Sequence, residues 1–512
     1  MKKILFLASA MMVTMLACQK ESENIGSTNA AEGDVYMSFS VQLPETRSVT
    51  DTGNEDTYVS SDAGEEIGKN YENQIQTIDI FLMDSEGLKI AAENVAPNGN
   101  NGEYVATFKH DVLSNGVTYG VYVICNDNSF SVADGLDKTY TLSADNINEN
   151  IANSTNGFLM TNAKAASVAV PSDHDWSKNM TKGTAFSLGI VEVERSVARF
   201  DYAAVKTDNI YTIADNDKVK IQLTDAGLIN MSKSFYYFRR VASVGVPTNE
   251  NPAVICGVET PDNYVIDTDA AAKAQALTEG VFNPALAANF LYHMAPSYTS
   301  LTAITEADNN EGWTNTAGYD YKIWRYVTEN TIPNSSVQVN GISTGVVFKG
   351  ILIDAENAPL TGNEPLYVYN NIFYGNWNAV KTSAEASDAP AGLKAAYEAI
   401  SSKGTPTEDD YKQLNFTVYE PNAEGKYEVL YYYWNRHNDN KNNKEMGTME
   451  FAVVRNNVYK LAVTNISKFG HPENGIDPDP IDPSDPDEIA EYYFTVAVKV
   501  LPWTVRINNI EF

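Results

Sequence analysis

The sequence has few basic residues for its length. Its 512 residues include 36 lysines and arginines against 67 aspartates and glutamates, a formal net charge of −31. A nucleic-acid-binding protein needs a cationic surface, so this balance argues against nucleic acid as a partner. The hydrophobic fraction of 43% is that of a globular protein and not of a disordered chain. A chain of this length is expected to form about two to four domains.

Cysteine and histidine are also scarce. The three cysteines, Cys18, Cys125 and Cys256, cannot form the dense disulfide framework of small secreted domains. The five histidines stand far apart, in no His-x-x-x-His pattern, and there is no Cys-x-x-Cys, so we expect neither a metal nor another cofactor. Cys125 and Cys256 follow apolar stretches and are predicted to be buried free thiols, because cysteine behaves as a small hydrophobic residue.

The usual motifs of catalysis are missing. The sequence contains no Gly-x-Ser-x-Gly, no His-Glu-x-x-His and no glycine loop of the kind that binds phosphate. We therefore do not expect an enzyme. Paired carboxylates stay open, because 67 acidic residues place some pairs together by chance.

Long apolar runs are limited to the N-terminus. Lys2 and Lys3 precede an apolar stretch at 4–15, which is too short to cross a hydrocarbon core of ~30 Å as a stable helix. Residues 1–18 are therefore predicted to be an export signal. Its end, Met-Leu-Ala-Cys followed by a polar run, resembles a bacterial lipobox, which predicts lipidation of Cys18 and a membrane-tethered precursor. The alternative is a plain secretory signal with a chance cysteine.

The segment 19–47 combines a small polar leash with a first strand. Its apolar residues alternate with polar ones, as a half-buried strand requires; they are Val35, Met37, Phe39, Val41 and Leu43. The stretch 45–69 that follows is polar and has no periodicity, so we expect it to be loose and accessible. It contains Arg47-Ser48, and a cut after Arg47 would separate the first strand from the rest of the chain.

Short strand patterns separated by Gly and Asn turns recur along the rest of the chain, which is typical of β-sandwiches. We predict an all-β fold of β-sandwich domains with few short helices. The predicted strands are 75–83, 104–108, 117–125, 186–193, 219–223, 235–246, 365–374, 416–419, 427–434, 449–454 and 457–465, and the predicted helices are 269–279 and 390–401.

The densest aromatic cluster is Tyr-Tyr-Tyr-Trp at 431–434. Such rings can stack on sugars, but cross-strand packing in an aromatic-rich sandwich core is the preferred interpretation.

The end of the chain differs from the rest. Residues 471–488 contain repeated aspartate and proline, which predicts a stiff, extended and solvated spacer. Calcium binding is a weaker explanation, because the glycine turn and spacing of an EF-hand are missing. The tail 489–512 alternates again like a strand, and the residues that define it are Phe494, Val496, Val498, Val500, Pro502, Trp503, Val505 and Ile507.

These two ends suggest a mechanism. A free apolar edge strand is an aggregation hazard, so the tail either folds back into its own domain or pairs with another molecule. Loss of the first strand after a cut at Arg47 would open a groove that the tail of a neighbour could fill by β-augmentation. Head-to-tail contacts of this kind need not close, so they can propagate a fibre.

Several segments also resemble a known family. They are Val-Glu-Arg-Ser-Val-Ala-Arg at 193–199, Val-Leu-Tyr-Tyr at 429–432, Val-Val-Arg-Asn-Asn-Val-Tyr at 453–459, the Asp/Pro spacer, and Val-Lys-Val-Leu-Pro-Trp-Thr-Val at 498–505. In this order the sequence resembles the Bacteroidales fimbrillins that build type V pili, with the shaft subunits of the short (minor) fimbria as the nearest match. The segment 193–199 is interpreted as structural and as a signature of the fold, and the simplest explanation of it is a domain-closing strand with paired surface charges.

The resemblance implies two tandem β-sandwich (transthyretin-like or Ig-like) domains, at 48–210 and 211–470. It implies transport to the outer membrane as a lipoprotein and cleavage by an arginine-specific or trypsin-like protease at Arg47-Ser48. It also implies polymerisation through the C-terminal strands into an extracellular cell-surface fimbria that supports adhesion and biofilm, with anchor and tip subunits as partners. The competing hypothesis is a surface glycan-binding lipoprotein that stays monomeric. It is motivated by 30 tyrosines and 6 tryptophans, and it leaves the tail unexplained.

Overall fold

The computed structural model describes residues 34–42, 69–95, 103–109, 113–127, 129–213, 216–307, 319–390, 392–438, 440, 442, 445–487 and 494–502. Within these ranges the protein is all-β with six short α-helices, which confirms the predicted fold class.

Fifteen of the described strands lie between residues 34 and 232. They are β1 (Asp34–Gln42), β2 (Ile78–Asp84), β3 (Gly87–Val95), β4 (Glu103–Lys109), β5 (Thr118–Cys125), β6 (Thr139–Thr141), β7 (Ala152–Asn153), β8 (Gly157–Phe158), β9 (Met160–Asn162), β10 (Ala166–Ala169), β11 (Phe186–Arg195), β12 (Ala198–Tyr202), β13 (Ile210–Thr212), β14 (Val219–Ile229) and β15 (Met231–Ser232).

The other described strands are β16 (Ser234–Tyr236), β17 (Arg240–Ala242), β18 (Val254–Ile255), β19 (Tyr264–Val265), β20 (Leu277–Thr278), β21 (Val281–Phe282), β22 (Phe290–Leu291), β23 (Ser297–Ser300), β24 (Lys322–Val327), β25 (Gly345–Asp354), β26 (Leu366–Tyr369), β27 (Ile372–Gly375), β28 (Phe416–Tyr419), β29 (Glu428–Trp434), β30 (Asn457–Ile466), β31 (His471–Pro472), β32 (Gly475–Ile476) and β33 (Phe494–Pro502). The helices are α1 (Ile147–Asn150), α2 (Ala270–Lys273), α3 (Leu301–Thr305), α4 (Trp377–Glu385), α5 (Leu393–Ser401) and α6 (Glu408–Gln413).

The N-terminal half forms one large sheet. Its strands lie in the order β3-β2-β5-β9-β11-β1-β4, and β10 pairs with β5 beside this path. Strand β1 is hydrogen-bonded on both sides, to β11 in parallel and to β4 in antiparallel orientation. Strand β1 is therefore an interior strand, one place from the edge.

The C-terminal half contains three principal sheets. One has the order β13-β14-β25-β29-β31, with β23 beside β14; the second is β24-β12-β30-β33; the third is β27-β26-β28-β32. Strand β12 follows β11 directly in sequence but belongs to the second of these sheets, so the chain changes sheets between Arg195 and Ala198. This crossing lies ahead of the domain boundary predicted at 210, which stays a prediction.

The halves share one hydrophobic core. A single cluster of buried side chains runs from Val35 and Phe39 in the first sheet, through Phe200 in β12, to Tyr459 and Val463 in β30. Smaller clusters lie under the other sheets and beneath the helical insertion α4–α6. The sheets therefore depend on one another for burial.

Some predicted elements differ from the structure. The strand expected at 365–374 is the hairpin β26–β27, because Asn370 and Asn371 both adopt positive φ (46° and 62°), the backbone of a tight two-residue hairpin turn. The strand expected at 449–454 is mostly turn, with only Val453 bridged to Asn330. The helix expected at 269–279 is limited to α2, whereas the one expected at 390–401 is present as α5.

None of the helices within the described ranges has the length and hydrophobicity needed to span a bilayer.

Candidate assembly site

Strand β1 is held by two hydrogen-bonded ladders. Its parallel pairing with β11 runs from Met37 opposite Phe186 to Gln42 opposite Glu192, and its antiparallel pairing with β4 ends at Ser40 opposite Glu103. Removal of β1 would leave the facing backbone groups of β11 and β4 unpaired. Unpaired strand edges of this kind are what an added strand recognises.

The side chains of β1 alternate as the sequence predicts. Four of the five residues proposed for the displaced strand lie on the core face, with exposed fractions of 1% for Val35, 0% for Met37, 2% for Phe39 and 6% for Val41. The fifth, Leu43, lies outside the described residues. Full burial of a side chain of this type stabilises a fold by about 1.5–3 kcal/mol, so the four together contribute on the order of 6–12 kcal/mol. Strand β1 is therefore an important part of the hydrophobic core that the two halves share.

The ladder between β1 and β11 contains one irregularity. Ser38 faces Ser187, but Phe39 faces Gly189, so β11 has one extra residue at this point. Gly189 has φ of 84°, a backbone conformation that side-chain-bearing residues adopt only with strain. Any strand that replaces β1 would meet the same bulge.

The C-terminal strand folds back onto its own chain. β33 pairs antiparallel with β30, from Asn457 opposite Pro502 to Ile466 opposite Phe494, and it forms the edge of the sheet β24-β12-β30-β33. The structure gives the backbone pairing of this strand but does not describe its side chains. The remaining predicted site residues lie outside the described ranges; they are Cys18, Arg47, Ser48, Trp503, Val505 and Ile507.

A buried ion cluster of Glu72, Arg199 and Asp201 lies downstream of the proposed cut. The Arg199 guanidinium donates to Glu72 and to Asp201 at 2.9 Å each, and all three side chains are fully buried. The Tyr326 hydroxyl also donates to the Glu72 carboxylate, at 2.6 Å. Burial alone would raise the pKa of Glu72, but Arg199 and Arg195 outweigh it and hold the pKa below its ordinary value. This cluster fixes residue 72 to strand β12.

This finding corrects one interpretation of the segment 193–199. Its arginines are not surface charges, since Arg195 is 2% exposed and Arg199 is 0% exposed. Arg195 donates to Asn456 at 3.0 Å, and the Asn456 amide donates to Val197 at 2.8 Å. Two of the segments that resemble the fimbrillins, 193–199 and 453–459, thus meet where the chain passes from the N-terminal sheet to the sheet β24-β12-β30-β33. Their structural role was predicted, but their burial was not.

A second ion cluster lies beside the first. Arg455 contacts Glu329 at 3.0 Å, and Arg239 contacts Glu194 at 3.0 Å. Burial raises the pKa of Glu194 to about 7, although Arg239 and Arg455 act in the opposite direction. Neither cluster could be located from the sequence, because partners such as Glu72 and Arg199 are brought together only by the tertiary fold.

The aromatic residues at 431–434 belong to strand β29 and pack in the core. Tyr431 is 1% exposed, and Tyr433 and Trp434 are each 6% exposed. The interpretation as core packing is therefore confirmed, and these rings offer little surface for a sugar. Cys125 and Cys256 are both buried free thiols, as expected.

The Asp/Pro spacer is docked rather than fully solvated. The Gly341 amide donates to the Pro483 carbonyl and the Asn340 amide to the Asp485 carbonyl, each at 2.9 Å. Asp487 is 1% exposed and accepts a hydrogen bond from Ser343. The expectation of a solvated arm is therefore wrong for this part, because the prolines leave carbonyl groups free to pair with the neighbouring loop.

Family comparisons agree with this geometry. A family model described as major fimbrial subunit protein (FimA) matches residues 37–230, and one described as major fimbrial subunit protein type IV, fimbrillin, C-terminal, matches residues 426–509. The first match begins within β1 and the second includes β30 and β33. Together they cover more than half of the chain, and the chain belongs to the fimbrillin family. It is a structural subunit of a cell-surface fimbria.

Solved structures that the chain is similar to include a fimbrilin from Porphyromonas gingivalis, which is 14% identical. The match covers 93% of this chain and 98% of that structure, with a TM-score of 0.39. The C-terminally truncated tip fimbrial protein Mfa3 of the same organism is 11% identical, with coverage of 85% and 95% and a TM-score of 0.32. A fimbrial assembly protein from Parabacteroides distasonis is 10% identical, with coverage of 63% and 96% and a TM-score of 0.23. No curated protein matches the sequence significantly.

Proposed function

We propose that this fimbrial subunit is the polymerising subunit of a fimbrial shaft, of the short-fimbria type. It is exported as an outer-membrane lipoprotein through Cys18 and is cut after Arg47 by an arginine-specific or trypsin-like protease. Its C-terminal strands then enter the groove of the next subunit. The fibre binds anchor and tip subunits through the same kind of contact and supports adhesion and biofilm.

The position of β1 carries this proposal. The strand lies inside the first sheet with its apolar face in the core, yet its covalent link to the rest of the chain passes only through residues 43–68. A single cut in that segment converts an intramolecular strand into a separate peptide. Its release then exposes two ladders and a core face in one step, as strand replacement requires.

The tail offers a matching strand. Phe494, Val496, Val498 and Val500 have the same two-residue spacing as the four core residues of β1. Among the described strands, β33 has a partner on one side only, β30, whereas in the groove it would have two, β11 and β4. Once β1 has left, exchange thus increases the number of backbone hydrogen bonds that the strand makes, which favours the polymer over a monomer with an empty groove.

The test uses the purified precursor and limited trypsin. We expect uncut protein to be monomeric and cut protein to form ladders that resist SDS. Arg47→Ala should prevent the ladders, and a chain that ends at Glu488 should be cut normally but stay monomeric. Ladders from the truncated chain would show that the tail is not the donor.

A matched pair of variants tests whether assembly requires the apolar face of the donor strand or only the presence of the strand. Alternation predicts that Val498 and the next residue, Lys499, point to opposite faces of the strand. Val498→Asp should therefore abolish ladders, and Lys499→Asp should keep them. Equal effects of the two substitutions would contradict insertion of this strand into an apolar groove.

The glycan-binding alternative predicts saturable polysaccharide binding by the uncut monomer. Its strongest sequence support was the aromatic cluster at 431–434, three of whose four rings lie in the core.

A further inference from the structure

A fully buried lysine lies in the C-terminal half, away from the assembly site. Lys273, the last residue of α2, is 0% exposed, which is rare for a lysine and requires partners. Its Nζ lies 2.5 Å from Asp267 Oδ2 and 3.0 Å from Asp269 Oδ1. It also donates to the side-chain oxygen of Asn330, and the ring of Phe290 lies 5.5 Å away. An amine, two carboxylates and a carboxamide thus share one site, in which Asp269 is the only partly exposed member.

The carboxamide is held in one orientation. Asn330 is 1% exposed, and its Nδ2 donates to the carbonyls of Ile342 at 2.9 Å and Asn230 at 3.3 Å and to Thr344 Oγ1 at 2.8 Å. Its Oδ1 faces the lysine. The backbone of Asn330 exchanges two hydrogen bonds with Val453, which fixes the position of this residue in the fold.

We propose that Lys273 and Asn330 join in an isopeptide bond within the chain, with Asp267 as the proton-transfer group. Amine, acyl group and acid are already in contact in the folded chain, and the site needs no external reagent. Formation of the bond would close residues 273–330 into a covalent ring.

The reaction balances as an exchange of one amide for another. A proton moves from Nζ to Asp267, and the neutral amine forms a bond to Cγ of Asn330 while the Cγ–Nδ2 bond breaks. The proton held by Asp267 and a second proton shed by Nζ go to the departing nitrogen, which leaves as ammonium. One hydrogen stays on Nζ as the new amide N–H, and Asp267 ends as it began.

Two features of the surroundings assist the reaction, namely burial and the hydrogen-bond acceptors around Asn330. The first proton transfer creates a neutral amine and a neutral acid, and burial penalises the charged forms that it replaces. Burial indeed raises the pKa of Asp267 to about 6. The pKa of Lys273 is also raised, because burial is outweighed by the two aspartates, so the neutral amine is a minor state. One turnover per chain is sufficient. The three oxygens around Nδ2 of Asn330 can accept the hydrogens of the departing nitrogen.

The purified full-length chain tests this directly. Trypsin cuts after an unmodified Lys273 but not after one whose amine is acylated. We expect a branched peptide in which residues 241–322 are joined to residues 326–349, lighter than the sum of its parts by one ammonia. Separate recovery of a peptide that ends at Lys273 and an unmodified 326–349 peptide would overturn the proposal and leave a buried ion pair.

Mass loss alone is not decisive, because an Asn-Gly pair such as Asn340-Gly341 can also lose ammonia by cyclising. Lys273→Arg should restore the lost mass, whereas Lys460→Arg, a change at another buried lysine (4% exposed), should not. Asp267→Asn should leave both peptides linear in folded protein. The wild-type peptide result stands by itself if any variant fails to fold, and it does not depend on whether the subunit polymerises.

Discussion

A substitution in β1 distinguishes a strand that is replaced on assembly from one that stays. Phe39 is 2% exposed, and its ring stacks on Tyr104 with centroids 5.3 Å apart. Phe39→Ala removes this buried ring and leaves a cavity, which typically costs about 3–5 kcal/mol. We expect the uncut precursor to lose about that much unfolding free energy, measured by the denaturant midpoint at constant slope.

The assembled fibre should not show this loss. If β1 leaves before or during assembly, Phe39 is absent from the fibre, and ladders built from the variant should dissociate at the same temperature as wild type. Release of the cut strand should also be faster. Each 1.4 kcal/mol corresponds to a factor of about ten, so a loss of about 3 kcal/mol permits up to about a hundredfold increase where release limits assembly.

Phe108→Ala is the matched control. Phe108 lies on β4, next to β1, and is 1% exposed, but β4 stays in the mature subunit. This variant should destabilise precursor and fibre alike. A fibre of Phe39→Ala that dissociates at a lower temperature than wild type would refute the reasoning, because it would show that β1 is still present. An unchanged precursor would refute the burial argument itself.

Three further outcomes are expected from the described contacts. Because the pKa of Glu194 is raised to about 7, the folded state binds a proton that the unfolded state lacks between pH 4.5 and 7. The free energy of unfolding should therefore fall as the pH rises through this range, by up to about 1.4 kcal/mol per pH unit. Glu194→Gln should remove most of this dependence from a plot of the urea midpoint against pH. The pKa of Glu72 is lowered, so the stabilisation that its carboxylate provides is present above the ordinary glutamate pKa and is lost in acid. Glu72→Ala removes a carboxylate partner from Arg199 and should lower the free energy of unfolding by about 3–5 kcal/mol at neutral pH in the same assay. A change below about 1 kcal/mol would contradict the buried pairing. Gly341→Ala places a Cβ against the ring of Phe282 and 2.9 Å from the Pro483 carbonyl oxygen. The loop that holds the spacer must therefore shift, so the spacer should undock and be cut faster by a protease, and unchanged cleavage would show that the docking is weak.

The sequence was most informative where a local period determines structure. Alternation located β1 to within one residue and predicted the strand that became β33. Start signals for α4 and α6 were also present in the sequence but were not recognised, whereas α5 was predicted. Asn376 caps α4 by accepting from Ala379, and Thr407 and Asp410 form a capping box at α6.

Tertiary pairing was not accessible in this way. Arg195 and Arg199 looked like surface charges, because arginine is usually exposed and their partner Glu72 lies more than one hundred residues away. The cluster around Lys273 likewise carried no sequence signal, since Asn330 lies 57 residues away in an irregular segment. Such clusters depend on which strands become neighbours, and local patterns do not determine that.

The position of the two ion clusters explains how a subunit can lose its first strand and keep its shape. Strand β11 borders β1, and after Arg195 the chain continues as β12, which is paired on both sides by β24 and β30. Glu72 is bound to Arg199 on β12, downstream of the proposed cut. Loss of β1 would therefore open the ladder of β11 without loosening the sheet that holds β30. Since β30 is also the partner of β33, the groove beside β11 can open while the donor strand stays paired with β30, until that strand enters the groove of the next subunit.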